Sequence, residues 1–346
     1  MNKEDKRLLT IEHIARLAHV SKGTVSKVLN NRPGIGPATR KRILALVDEL
    51  DFHPNSAAQA LAKQKTGTIG VIIPHEASHS LSGAYWSQLI TSITTTAISN
   101  EYNTLLLTPK SEGSIEDAYQ TVLRTRKVDG LIIGSELLDR RNISKLQLQS
   151  IPFTLVGRNP EFLHYYVDVD NYGAAYDMVS YMAERGYRRP AMLSGPAQYY
   201  YVQQRILGYQ NALRDRCAGA EIIQSVDEYE SGDTRRHTRE LFARGGFDSL
   251  FIGAGGEFLF DVIDEMRRMN IRFQDYGITV FDDYRYLDFI EPKITAVRQP
   301  ILGLGRAAME MLLVLMNGEE PEHPAVVIPA DIVPRNSCGE STRGQS

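Results

Sequence analysis

The first apolar periodicity along the chain is helical. Ile11, Ile14, Ala15, Leu17 and Ala18 fall on one face behind Thr10, a residue type that caps helix N-termini. His19 and Val20 interrupt the stripe, and Ser21 offers a second N-cap. The helix that follows turns Val25, Val28 and Leu29 inward and Lys22, Thr24, Ser26, Lys27 and Asn30 outward, so its solvent face consists of hydrogen-bond donors. Gly36 and Pro37 mark a break and a new helix start, and residues 39–50 present Ile43, Leu44, Leu46, Val47 and Leu50 as a third apolar face. Two short helices about a tight turn, backed by a third, predict a helix-turn-helix head whose second helix lies in a DNA major groove.

Beyond residue 66 the pattern changes to apolar strand-like runs, at 68–74, 103–108, 130–135, 153–158, 191–195, 249–254 and 277–282. Amphipathic helical stretches lie between them, for example 86–99, 115–127, 172–186, 202–214 and 258–269. This alternation predicts parallel sheets flanked by helices, and 346 residues suggest two or three domains. Charge sharpens the division. The net charge of −3 hides 12 Lys and Arg against 6 Asp and Glu in residues 1–65, which leaves 27 against 36 in the rest. A basic head on an acidic body suits a protein that holds a polyanion at one end, although a solvated terminus gives the same count. No apolar run reaches membrane-spanning length, and no apolar signal-peptide region follows the polar start MNKEDKR. With only Cys217 and Cys338, the chain fits a reduced cytoplasm and offers neither a disulfide framework nor a cysteine metal cluster.

The order and spacing of several short motifs carry a resemblance. VSKGTVSKVLNN (20–31), FHPNSAAQALA (52–62), TIGVIIP (68–74), VFDD (280–283) and AVRQP (296–300) together resemble the LacI/GalR family of bacterial transcriptional regulators, over nearly the whole chain. The resemblance implies an α/β protein with an N-terminal all-α helix-turn-helix head and a bilobed periplasmic-binding-protein-like body of two parallel-sheet lobes. The head is expected at 8–51, a hinge segment at 52–65 and the effector-binding and dimerisation body at 66–337. Lobe one then covers about 66–160 and 300–322, and lobe two about 161–299 and 323–337. Crossings between lobes are expected near 158–170, 283–300 and 318–330, and the polar tail 338–346 has no heptads for a tetramerising coil.

On the recognition helix Lys27 is placed to donate to guanine, although the family often has Arg here and Lys lacks the bidentate fork. Lys22 and Gly23 match the positions that set operator preference, with Lys22 the reader because Gly23 has no side chain. Ser21, Thr24, Ser26 and Asn30 match phosphate contacts, which set register. Residues 55–62 favour helix by composition but are too few to hold one alone. In the family this hinge helix pairs with its twin in the minor groove, which implies DNA contacts for Asn55, Ala58, Gln59 and Leu61. Leu61 matches the residue that wedges between base pairs; the plain alternative is a linker anchor packed on the body.

For the body, Arg205 in QRILGY matches an arginine that binds sugar hydroxyls or a carboxylate. Asp282 matches an acceptor of hydroxyl hydrogens, Gln299 sits at a crossover, and Tyr85 and Trp86 match an aromatic pair. Pairing of Arg205 with Asp282 across the lobes, and core packing of Trp86, are the alternatives. Gly255-Gly256 stands where many members have Asn-Asp, Gly157 precedes Arg158 where many have Asp, and the loop 75–84 is longer than usual. Two enzyme-like signals fail on context. His75-Glu76-Ala77-Ser78-His79 spells a zinc-protease motif but follows Pro74 rather than entering a helix, and the glycine turn at 253–256 lacks its third glycine at Phe258.

These readings converge on a cytoplasmic, nucleoid-associated, homodimeric transcription factor, in first reading a repressor. It binds palindromic half-sites of a double-stranded DNA operator and answers to a small carbohydrate or sugar phosphate in the interlobe cleft. No cofactor, metal, membrane partner or catalytic residue is implied. Two other readings stand beside it: the same head governed by a protein co-regulator of the catabolite-control type, and a body that is a dehydrogenase or hydrolase.

Overall fold

The computed structural model describes residues 9–52, 65–73, 83–108, 116–125, 127–134, 140–160, 162, 165–217, 219–229 and 231–339. The chain divides into two compact units, 1–67 and 68–346.

In the first unit, α1 (Ile11–Leu17), α2 (Lys22–Leu29) and α3 (Pro37–Glu49) close around Ile14, Ala18, Val25, Val28, Ile43 and Phe52. His19 adopts a left-handed conformation (φ 49°), which makes the turn between α1 and α2 tight. The Ser21 hydroxyl accepts from the Thr24 N–H at 3.1 Å, the capping bond its residue type suggests. Thr10 also stands at an N-cap, but its hydroxyl makes no capping bond and lies 3.0 Å from His13 Nδ1 instead. Pro37 opens α3 as expected. Leu44, read as inward, is exposed: Ile43 holds the centre of the buried face, and one helical step carries Leu44 about 100° away from it. Arg40 fastens α3 to the end of α2, donating to Asn31 Oδ1 (2.9 Å) and to the Arg32 carbonyl (2.8 Å).

The second unit contains two six-stranded sheets. The first comprises β1 (Thr68–Ile72), β2 (Asn103–Leu107), β3 (Gly130–Gly134), β4 (Phe153–Val156), β5 (Tyr166–Val169) and β11 (Ala325–Ile328), in the order β11-β5-β4-β3-β1-β2, all parallel. Helices α4 (Ala84–Ser99) and α11 (Ile301–Met316) cover one face around Ile69, Val71, Leu89, Ile93 and Leu312. The other face buries Ile72, Leu131, Ile133 and Leu155 with Tyr119 of α5 (Glu116–Thr125) and Leu146 of α6 (Arg140–Leu148). Cover on both faces explains why β3 reads as an unbroken apolar run.

The second sheet comprises β6 (Pro190–Ser194), β7 (Ile223–Ser225), β8 (Ser249–Ile252), β9 (Gly277–Phe281), β10 (Thr295–Arg298) and β12 (Asp331–Val333). Its order is β12-β10-β9-β8-β6-β7, parallel except for β12 against β10. Helices α7 (Asn171–Glu184) and α8 (Tyr200–Arg216) enclose one core with Met192, Phe251 and Phe281, while α9 (Ser231–Arg244) and α10 (Leu259–Arg268) enclose the other. In both sheets the chain leaves the central strand to one side and returns on the other. A crevice therefore opens at the carboxyl ends beside β1 and β6.

The three crossings fall late in their expected ranges. β5 still belongs to the first sheet, so the first crossing comes at 170; β10 belongs to the second and α11 packs on the first, so the next is at 299–300; β11 and β12 divide at 329–330. The expected lobe-two spans 161–299 and 323–337 are corrected accordingly, since they contain lobe-one strands. Both strands are only four residues long, and Asp168 interrupts the apolar pattern of β5, so neither stands out as a run.

Candidate functional site

In the head, burial of Val25 and Val28 leaves Lys22, Gly23 and Lys27 of α2 and the C-cap Asn30 exposed, with Thr24 and Ser26 half-buried. The Lys27 side chain makes no hydrogen bond or ion pair among the described residues. Lys22 does: its ammonium pairs with Glu12 of α1, and that contact together with Glu12's own backbone N–H holds the Glu12 carboxyl down at about 2. The pair is exposed, so water and salt screen it, and Lys22 must leave Glu12 to reach a base. Asn30 donates back to the Ser26 carbonyl at 2.8 Å, and Thr24 Oγ1 lies 2.9 Å from Ser21 Oγ. A Cβ built on Gly23 would meet only Ser21 Oγ, at 3.7 Å, so packing does not require glycine there. Asn55, Ala58, Gln59 and Leu61 lie outside the described residues, as does the His75–His79 motif.

In the body, Arg205 projects from α8 and is 5% exposed. Its Nε donates to Asn171 Oδ1 and its Nη1 to the Gly253 carbonyl, both at 2.9 Å. The guanidinium also lies over the Phe281 ring, 3.4 Å from its centroid. Asn171 Nδ2 is 3.4 Å from Asp168 Oδ1, and Asp168 accepts from the N–H groups of Val169 (2.8 Å) and Arg158 (3.1 Å). Burial pushes the Asp168 carboxyl up to about 6, against the opposing pull of those two N–H bonds and of Arg205 and Arg158. A polar chain thus runs from a lobe-one strand through Asn171 and Arg205 into lobe two.

Asp282 directly follows β9 with φ 79° and is buried; it accepts from the amide of Gln299, which is itself buried at the crossing before Pro300. No ion pair joins Arg205 to Asp282 among the described residues. The two stand in separate polar sets, so the pairing considered from the sequence is absent from this arrangement. Tyr85 and Trp86 meet edge to face at 5.5 Å and pack on the lobe-one core, each half-buried.

The sequence reading missed Asp168, Asn171 and an aromatic shelf. Tyr199 stacks on Tyr201 (5.8 Å) and on Tyr229 (6.0 Å), the hydroxyls of Tyr201 and Tyr229 share a 2.5 Å hydrogen bond, and Phe258 tilts onto Tyr229 at 5.4 Å. These rings come from the segments after β6, β7 and β8, all at carboxyl ends. Gly195 makes room for them, since a Cβ there would sit 2.2 Å from the Tyr229 hydroxyl. The run Tyr199-Tyr200-Tyr201 was the available signal. Behind the shelf, Asp233 accepts from the N–H of Asp227 (2.6 Å) and of Glu228 (3.1 Å), and Arg236 bridges Asp227 and Asp233. Buried His237 lies 3.4 Å from both carboxylates. The trio has metal-ligand residue types within reach of one another, but Arg236 already meets its charge, and the set acts as an anchor for the Tyr229 loop.

Residues 10–55 match the family model "Bacterial regulatory proteins, lacI family", and 66–241 match "Periplasmic binding proteins and sugar binding domain of LacI family". The chain belongs to the LacI family of bacterial transcriptional regulators. A third model, "Periplasmic binding protein-like domain", matches 179–338. Among whole-length relatives, Catabolite control protein A of Priestia megaterium is 29% identical over 95% of this chain and 99% of that protein. The transcriptional regulator CelR of Thermobifida fusca is 27% identical over 96% and 99%. Among solved structures, the lac repressor dimer bound to operator and the anti-inducer ONPF superposes with a TM-score of 0.84 at 21% identity, covering 96% of this chain and 99% of that one; this likeness is one of fold. A CelR–cellobiose complex has a TM-score of 0.71 at 25% identity, over 95% and 99%. As a LacI-family member the protein is a DNA-binding transcriptional regulator with a periplasmic-binding-like body. No described helix is long and apolar enough to cross a membrane.

Proposed function

We propose that this LacI-family regulator is a repressor that binds a palindromic operator as a homodimer and is controlled by a small carbohydrate in the cleft between the lobes. One observation carries the effector class: buried Arg205, Asp282 and Gln299 stand at the carboxyl rim of lobe two beside the Tyr199–Tyr201–Tyr229–Phe258 shelf. Donors and acceptors fixed by their own partners, next to aromatic faces, are what a sugar requires: hydroxyls to be bonded and C–H faces to be stacked. Structural neighbours include a regulator in complex with cellobiose and another with bound ribose, which supports the same class. Asp282 and Glu257 at the same rim favour an uncharged sugar over a sugar phosphate.

In this proposal Lys27 and Lys22 read bases, while Ser21, Thr24, Ser26 and Asn30 hold phosphates. Residues 55–62 fold in the minor groove with Leu61 as wedge, so that a bending assay on Leu61→Ala shows a lost bend. A thermal-shift screen of mono- and disaccharides on the full chain tests the effector reading, because a ligand at a hundred times its Kd adds about 2.7 kcal/mol of stability. A hit that also changes operator retention in a gel shift confirms it; no stabilisation by any sugar overturns it. The whole-length likeness to Catabolite control protein A favours a second reading, a protein co-regulator, which pull-down of a phosphocarrier protein by the full chain would reveal.

A further inference from the structure

The turn after β8 runs Gly253-Ala254-Gly255-Gly256-Glu257. Gly255 has φ 145°, a conformation that side chains disfavour, and a Cβ on Gly256 would lie 2.8 Å from the Asp282 carbonyl oxygen. The two glycines let this turn lie flat against the end of β9, and that places Glu257 at the rim of lobe two. From there Glu257 Oε1 accepts the backbone N–H of Ala84 at 2.7 Å, a contact between residues 173 positions apart and on different lobes.

The donor is one that the lobe-one helix cannot satisfy by itself. Ala84 is the first residue of α4, Gly83 at the N-cap has no side chain to offer, and the first turn carries no acidic residue. Glu257 supplies the missing cap from the opposite lobe, where its carboxylate also meets the positive end of a 16-residue helix. The surrounding seam is apolar and incompletely bonded. Tyr284 and Tyr286 of lobe two pack against the lobe-one core, and the Tyr286 hydroxyl is buried without a hydrogen-bond partner among the described residues. An unmade bond of this kind is a cost to the closed arrangement, so a single well-made polar contact across the seam weighs in its balance.

We propose that Glu257 is an interlobe clasp: its bond to the Ala84 N–H favours the closed arrangement of the lobes and sets the equilibrium that an effector must shift. The inference requires only the two-lobed body and stands whether the effector is a sugar, a protein or neither.

The test uses the full chain and its only tryptophan, Trp86, which is half-buried two residues from Ala84. Glu257→Ala removes the acceptor, and Glu257→Gln keeps a carbonyl oxygen at the same reach. Ala84→Pro removes the donor from the lobe-one side. Proline suits the first helical position, and extended Gly83 (φ −72°, ψ 138°) suits the residue before it. Acrylamide quenching of Trp86 and the radius of gyration from small-angle X-ray scattering are the readouts. Glu257→Ala and Ala84→Pro are each expected to raise quenching about twofold and to enlarge the radius, as a shift of population toward an open body requires. Glu257→Gln should fall between wild type and Glu257→Ala, and the double variant should open no further than either single one. Unchanged quenching and radius in both single variants, or additive opening in the double variant, would overturn the clasp. Because the two variants alter different lobes, misfolding of one leaves the other to decide.

Discussion

Lys27 shows how much one exposed side chain can decide. It stands clear of every described partner on the outer face of α2, whereas Lys22 is held by Glu12. Lys27→Ala should therefore relax preference at one base pair per half-site, by about 1–3 kcal/mol of discrimination, in a binding-site selection experiment. A uniform loss across all operator variants would make Lys27 a phosphate contact. Asp168 is the converse case, a charge confined by burial. Its carboxyl titrates near 6 in the folded protein against 3.8 for an unperturbed group. Between those values the native state binds the extra proton, so Asp168 subtracts stability as pH rises from about 4 to about 6, and the deficit persists above that window. With Arg158 and Arg205 facing it, the deficit reaches at most on the order of 3 kcal/mol. Asp168→Asn should gain in melting temperature relative to wild type as pH is raised from 4 to 7; a pH-independent difference would mean that the carboxylate is not held up by burial. Neither Asp168 nor Asn171 was legible in the sequence. A polar residue in a four-residue strand looks like an edge position until the topology shows that β11 covers β5. Arg205, Asp282 and Gln299 were legible only as matches to a family, and their partners were not.

At the scale of elements, the strands buried on both faces and the helices with a clear apolar stripe could be read directly. The short strands β5, β7, β10, β11 and β12 were not read: three or four residues give no periodicity, and the equally short β4 and β8 were found only as apolar runs. Leu44 failed for a different reason: several apolar residues in one turn do not say which of them faces inward. A close helix contact in lobe two is also invisible to pattern. Gly208 of α8 lies so close to α7 that a Cβ would sit 2.3 Å from the Tyr172 carbonyl oxygen and 3.0 Å from the Tyr176 nitrogen. Both are backbone atoms in a helix and have little freedom to yield. Gly208→Ala should thus cost about 1–3 kcal/mol in urea denaturation despite its gain in helix propensity. Equal or higher stability in the variant would show that α7 and α8 can part without penalty.

For the whole molecule, Arg205 lies in the body and the proposed operator contacts lie in the head and hinge, so loss of one function need not entail loss of the other. Arg205→Ala should abolish the effector response while effector-free operator affinity stays within about twofold of wild type, since the proposed operator contacts all fall between residues 21 and 61. Calorimetry that finds unchanged effector affinity would remove Arg205 from the ligand site and leave it as a tie between Asn171 and Gly253. The three crossings at 170, 299–300 and 329–330 have a mechanical consequence as well. Each is only one or two residues long, and all three leave one lobe for the other from neighbouring strand ends. A single strap would let the lobes swivel and slide freely; three short straps together resist both torsion and translation, and leave bending about one line as the soft coordinate. The body behaves as a jointed lever with one degree of freedom, so any push within the cleft, whatever its chemistry, emerges as displacement in a fixed direction.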